Sequence, residues 1–276
     1  MRPARTPRVL WVELTSKCPF DCVFCSRKSR RGAGEHMPFA LFERLVVQVK
    51  DPRKFLLNYS GESTVYPELV AAIRLARSTG AAVELVTALG AAGDALIDEL
   101  SRSGLTRLTV SIHAADEARF AEIYRYGSLA AVRAKLARFL SVARGAEDPP
   151  AVDLAFVAMR RNLDDLAGVA SLAREMGLRS ISIFPVIRRD EIPVSFPELD
   201  ASGGATPGFQ DALARTVERV RSEQPEIDLV ICNPRFTMDD APLGETPSPC
   251  PGVLPAGAVI HSCAGRISGA FPAGAT

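Results

Sequence analysis

The chain has no apolar run near the roughly 18 residues of a membrane-spanning helix. Its N-terminal apolar stretch is ended by Glu13, far too early for a signal-peptide core. Charge of one sign is also missing: 33 Lys and Arg face 32 Asp and Glu, a net charge of +1, so nothing electrostatic selects nucleic acid or a membrane as the main partner. The basic run Arg27, Lys28, Arg30 and Arg31 is a local exception of the kind solvated loops carry. No internal repeat occurs at a solenoid period. With no mark of secretion, disulfides are not expected to organise the six cysteines, and a reducing, cytoplasmic location is.

What is present is a tight cysteine group, Cys18-Pro-Phe-Asp-Cys22-Val-Phe-Cys25. Structural zinc takes four ligands, commonly as two Cys-x2-Cys pairs, and the chain has no second pair. The ferredoxin run uses x2 spacing and brings its fourth cysteine nearby, which this group does not. A lone x3/x2 triplet suits a 4Fe-4S cube with three irons held and one open. A zinc-binding structural protein is the remaining alternative.

From residue 8 to about 187, short β-branched runs alternate with amphipathic helical patterns, the mark of parallel strands with crossover helices. Six strands are expected: Arg8 to Leu14, Lys54 to Tyr59, Ala82 to Thr87, Thr106 to His113, Val152 to Met159 and Ser180 to Val186. Helices are expected from Pro38, from Pro67 to before Gly80, from Gly93 to Ser103, from Ser128 to Ala143 and from Leu163 to Met176. The stripe Leu129, Val132, Leu136 and Phe139 reads as core packing. Six units are two short of a full barrel, so a partial barrel or an open doubly wound sheet follows, with ligands at the C-terminal strand ends in either case. Beyond Val186 come an irregular stretch, a helix from about Phe209 to Glu223, a strand from Ile227 to Cys232, and a tail rich in Pro, Gly and Ala.

The triplet after a first strand, together with six β/α units, resembles the radical S-adenosylmethionine (radical SAM) superfamily over roughly residues 8 to 187. The resemblance implies an α/β fold, a partial (β/α)6 TIM-type barrel over 1–187, followed over 188–276 by a linker and an irregular extension. It implies that Cys18, Cys22 and Cys25 hold a 4Fe-4S cluster whose open iron binds SAM, and that an electron from a donor such as flavodoxin or ferredoxin splits SAM to methionine and a 5'-deoxyadenosyl radical. That radical takes hydrogen from a peptide or a small metabolite. The protein's share is placement and insulation.

Residue by residue, Phe24 matches the family's aromatic position near adenine. Ser60-Gly61-Glu62 stands where the family has Gly-Gly-Glu, a backbone edge and carboxylate that receive SAM's ammonium. Ser111 matches a serine near the ribose, with His113 departing from the family's Ser-x-Asp. Arg125 resembles the arginine that faces SAM's carboxylate. Thr87 is followed by Ala88-Leu89-Gly90 where relatives show Thr-Asn-Gly. Asp116 and Tyr124, with His113, are candidates for acid-base or relay roles that surface polarity explains equally well.

Cys232, Cys250 and Cys263 lie outside the triplet. Cys250 and Cys263, with Gly257 between them, look like the opening of a SPASM or twitch extension cut short of its later cysteines. Three readings stay open: one auxiliary iron-sulfur cluster, a shortened extension that cannot assemble, or thiols acting as small hydrophobes, for which Cys232 is the best candidate. An accessory protein that keeps the cluster without turnover is the rival to an enzyme.

Overall fold

A computed structural model describes residues 8–27, 32–186 and 205–232, together with the backbone of 258–260 and 267–268. Its centre is a run of parallel strands: β1 (Val9–Val12), β2 (Lys54–Leu56), β3 (Ala82–Thr87), β4 (Arg107–Ser111), β5 (Ala151–Ala158), β6 (Ser180–Pro185) and β7 (Asp228–Ile231). The helices are α1 (Phe39–Gln48), α2 (Leu69–Arg77), α3 (Asp94–Ser101), α4 (Glu117–Tyr124), α5 (Leu129–Ala143), α6 (Asp165–Glu175) and α7 (Pro207–Glu223). Each of the first six strands pairs in parallel with the next, and β7 continues beyond β6. On the other edge β8 (Ala258–Ile260) pairs in parallel with β1, and β9 (Ile267–Ser268) pairs antiparallel with β8. The architecture is therefore the expected partial (β/α) barrel with extra C-terminal strands.

Period-2 alternation decides the two faces of this wall. Leu10, Val12, Phe55, Val83, Leu85, Leu108, Val110, Leu154, Phe156, Ile181 and Ile183 belong to one buried core, which they share with the helices. The alternate residues point to the barrel interior and mix polar side chains with Trp11, Val86, Val157 and Phe184. Lys54 pairs with Glu84 at 2.6 Å. Arg107 pairs with Asp153, whose other oxygen accepts from Thr109 Oγ1 at 2.7 Å. Burial pushes the Asp153 carboxyl up despite those two partners.

The expected helices form with shifted ends. Pro38 caps α1 rather than lying in its first turn, and α2 begins at Leu69, two residues past Pro67. Gly80, Gly104 and Gly177 follow their helices with positive φ, as helix-ending glycines do. The stripe Leu129, Val132, Leu136 and Phe139 is buried in the core as expected. Helix α4 was not legible in the sequence, because it spans only eight residues and depends on its cap. Asp116 Oδ1 accepts from the Arg119 N–H at 2.8 Å, while Phe120, Ile123 and Tyr124 are buried.

Candidate active site

The cysteine loop leaves the end of β1 and is tied down at three places. Its start pairs with the chain that returns toward α1: Ser16 N–H donates to Glu35 O at 2.9 Å and Met37 N–H to Leu14 O at 2.8 Å. Its middle lies along the end of α4, where Asp21 and Val23 donate to Tyr124 O at 3.2 Å and Ile123 O at 3.0 Å. Its far side is clasped by the buried Arg27 guanidinium, whose Nη1 donates to Ser16 O at 3.0 Å and Gly32 O at 3.1 Å. Phe20 wedges beneath, edge-on to Tyr124 and Tyr126. Short turns bring the three cysteines together, with Cys25 N–H donating to Cys22 O at 3.0 Å and Arg27 N–H to Cys25 Sγ at 3.5 Å.

Cys18, Cys22 and Cys25 line a cavity of about 430 Å³ at the C-terminal ends of the strands, and Phe24, Ser60, Gly61, Glu62, Thr87, Ser111, His113 and Tyr124 line it with them. Most of the residues picked out in the sequence thus share one space. Burial pushes the Cys18 thiol up to about 11 and, with the neighbouring Cys25 and Cys18, the Cys22 thiol well above its ordinary value. Both thiols stay neutral until a cation draws off their protons. Among the described residues, no three His, Cys, Asp or Glu converge as the ligands of one metal ion must. Three thiols lining one cavity suit a cluster in which each cysteine ligates one iron.

The loop after β2 is built on close backbone contact. A Cβ at Gly61 would lie 2.1 Å from Thr15 O and 2.8 Å from Lys17 O, so only glycine fits there. The same approach lets Glu62 N–H donate to Lys17 O at 2.9 Å. The carbonyls of Ser60 and Gly61 accept no hydrogen bond among the described residues. Ser60 itself hangs on Glu13, whose buried carboxylate accepts from both its N–H and its hydroxyl.

Glu62 is occupied by the protein. Its Oε1 accepts from Thr64 N–H at 3.1 Å, from Thr64 Oγ1 at 2.7 Å and from Thr87 Oγ1, and its Oε2 accepts from Ala88 N–H at 2.9 Å. Three donors share Oε1 and one meets Oε2, which keeps an acceptor site open. Glu62 therefore locks the β2 loop to the β3 loop. Thr87 gives its one hydroxyl proton to that carboxylate and accepts from Leu89 N–H at 2.8 Å. Leu89 adopts φ of 62° and is fully buried.

His113 lies in the wall, stacked on Tyr124 at 5.2 Å and edge-on to Phe24 at 5.1 Å. Its Nδ1 accepts from Val157 N–H at 3.1 Å, and burial lowers its pKa to about 3, so the ring is neutral at ordinary pH. Asn162 Nδ2 holds the His113 carbonyl at 2.8 Å. Tyr124 donates to Ser111 O at 2.7 Å, and burial raises its phenol well above the usual range. Arg125 is not brought to the cavity. It ends α4 in a left-handed conformation with a half-exposed side chain, 3.8 Å from Asp21. Asp116 is a helix cap. Cys232 is buried at the end of β7 and its thiol is not free, while Cys250 and Cys263 lie outside the described residues.

Sequence reasoning missed Trp11, Glu13 and Arg27. The first two were findable, because Val9, Trp11 and Glu13 occupy alternate positions opposite the apolar Leu10, Val12 and Leu14. A carboxylate in that series belongs inside the barrel. Arg27 had no such signal, since its partners are carbonyls of a folded loop.

A sequence profile of the Radical SAM superfamily matches residues 12–143. PqqA peptide cyclase of Xanthomonas campestris pv. campestris is 30% identical over 183 residues, covering 64% of this chain and 46% of that protein. A Thermoplasma volcanium protein named Probable GTP 3',8-cyclase is 29% identical over 171 residues, covering 60% and 50%. The chain spans about half the length of the curated relatives it matches. Among solved structures, Streptococcus suis SuiB bound to the precursor peptide SuiA superposes with a TM-score of 0.66 at 12% identity, over 83% of this chain and 49% of that one. That likeness is one of fold.

Proposed function

The chain carries a domain of the radical SAM superfamily, and on that premise we propose that it is an iron-sulfur enzyme that starts radical chemistry on a peptide or a small metabolite. The observation that carries this is the single cavity in which the three cysteines meet the Ser60–Gly61 backbone edge, at the C-terminal ends of parallel strands. When bound, a 4Fe-4S cluster and SAM supply reductive cleavage of the sulfonium to methionine and a 5'-deoxyadenosyl radical.

The chain's own residues do the placing. Cys18, Cys22 and Cys25 are the cluster ligands. The carbonyls of Ser60 and Gly61 suit SAM's ammonium, while Glu62 holds that edge rigid through Thr64, Thr87 and Ala88. Phe24 and the neutral His113, set edge to face, offer ring surface for adenine, and the Ser111 hydroxyl suits the ribose. Val86, Ala155, Val157 and Phe184 keep the space beneath poor in water. The position of Arg125 beside Asp21 favours a role at the helix end over one at SAM's carboxylate.

One relative named for cyclising a peptide and another named for cyclising GTP support the two substrate readings in turn. The electron donor is proposed to be a flavodoxin or ferredoxin, and residues 188–276 to belong to an extension of SPASM or twitch type. No helix among the described residues is long and apolar enough to cross a membrane.

The test is anaerobic reconstitution with iron and sulfide, then SAM and dithionite. The wild-type chain should form 5'-deoxyadenosine, and replacing Cys18, Cys22 and Cys25 by alanine should abolish both cluster and product. Cleavage by the triple variant would refute the ligand assignment. Iron and SAM binding without cleavage under any reductant would favour an accessory protein.

A further inference from the structure

Two buried side-chain polar atoms among the described residues have no hydrogen-bond partner, Trp11 Nε1 and Ser182 Oγ. Buried polar groups nearly always have one, so each is a place where something is expected to bind. Both sit on inward-facing strand positions: Trp11 alternates with the core residues Leu10 and Val12, and Ser182 with Ile181 and Ile183. Trp11 carries the stronger case, because it is 5% exposed and lines the cavity, although its Nε1 is itself covered and reaches a ligand only when the indole turns.

An indole N–H can only donate. Its missing partner is therefore an acceptor. The depth of Trp11 says which ligand supplies it. Glu13, two residues further along the chain and just past the end of β1, carries Ser60 of the loop assigned to SAM. Two strand residues are about 7 Å. The Trp11 donor thus lies below the edge at which SAM would sit, where a second molecule enters the barrel.

The charge of the wall says what kind of acceptor that is. No Lys or Arg lines the cavity among the described residues. The inward cations nearest the floor are already spent, Lys54 on Glu84 and Arg107 on Asp153. A phosphate or carboxylate pushed into this space would be buried without a counter-charge, at large cost. A neutral carbonyl would meet a donor made for it, among apolar neighbours.

We infer that Trp11 Nε1–H is the donor by which the barrel floor holds a neutral acceptor, the amide carbonyl of a peptide-like substrate. This rests on the proposed function only in taking the barrel mouth as the site. It sets the substrate class as uncharged where it enters, which a nucleoside triphosphate is not.

Trp11 is the chain's one tryptophan, so ultraviolet resonance Raman of the reconstituted, anaerobic full chain reports this indole alone. N-methylacetamide, the peptide group in isolation, should shift the indole N–H band saturably, and inorganic phosphate should leave it in place. An unmoved band with the amide overturns the inference, as does a band already at its hydrogen-bonded position before any addition, since water would then be the partner. A shift with phosphate overturns the substrate class. Formation of 5'-deoxyadenosine is measured on the same preparation. Product without a band shift sinks the donor alone, and a shift without product sinks the radical reading while the donor stands.

Discussion

Replacing Gly61 by alanine should damage stability and turnover together, by amounts that follow from two distances. The new Cβ would stand 2.1 Å from Thr15 O and 2.8 Å from Lys17 O, whereas ordinary contact begins near 3.4 Å. Both neighbours are backbone, so no side chain can swing away. The β2 loop and the cysteine loop must part by more than an ångström, which stretches the 2.9 Å bond from Glu62 N–H to Lys17 O beyond useful length. Overpacking of this kind costs about 1–3 kcal/mol, and a lost hydrogen bond about 0.5–1.5 kcal/mol. A total of roughly 2–4 kcal/mol at a urea slope near 3 kcal/mol per molar lowers the unfolding midpoint by about 1 M. A displacement of about 1 Å at a reacting centre also costs on the order of 100-fold in rate. The assays are urea unfolding and 5'-deoxyadenosine formation by the reconstituted protein. Gly208→Ala is the control, since a Cβ there meets nothing within 4 Å and lies in the first turn of α7. That variant should be neutral or more stable by about 0.5–1 kcal/mol. If Gly61→Ala behaved like Gly208→Ala, the close-approach reasoning would be wrong.

Three further outcomes are expected. Glu62→Gln must set an NH2 group against at least one of the four donors, costing about 2–3 kcal/mol in urea unfolding; an unchanged midpoint would show that the carboxylate does not lock the loops. His113 is held neutral down to about pH 3, so below its ordinary 6.5 the unfolded chain takes a proton that the folded chain refuses. Its contribution to stability is then flat above pH 6.5 and is lost toward pH 3, at up to about 1.4 kcal/mol per pH unit, and His113→Gln should remove that slope; parallel pH profiles would refute the assignment. Arg125→Gly frees a left-handed position whose side chain has only a 3.8 Å contact with Asp21, so the unfolding midpoint should rise by an amount worth about 1 kcal/mol. A tenfold rise in the KM for SAM would instead bring Arg125 back to the cofactor.

The strands and the cysteine triplet were legible because both are local signals. Val83, Leu85 and Thr87 alternate with Ala82, Glu84 and Val86 in sequence as they do across the barrel wall. Helix α4 was missed because eight residues carry too little periodicity, and its C-terminal position is an arginine rather than a glycine. The strands β8 and β9 lie in a tail whose Pro, Gly and Ala content conceals pairing supplied by β1. Strand ends were read too long at β1, β2 and β4, because apolar residues continue past the last paired residue into loops that are buried for another reason, the cavity.

Residue identity and spacing alone determined that three thiols stand on one loop at the end of a first strand, and that the strands after it are parallel. Which carboxylate meets which donor was decided by the tertiary structure. That Thr87 and Ala88, more than twenty residues away, donate to the Glu62 carboxylate is visible only in the folded chain. Ser60 looked like a weakened glycine until Glu13, 47 residues earlier, gave it an acceptor. Period tells which face a side chain takes, but its partner is chosen by how neighbouring strands come into register. The unpartnered indole of Trp11 belongs to the same class of fact, since a missing bond is visible only once every neighbour has been placed.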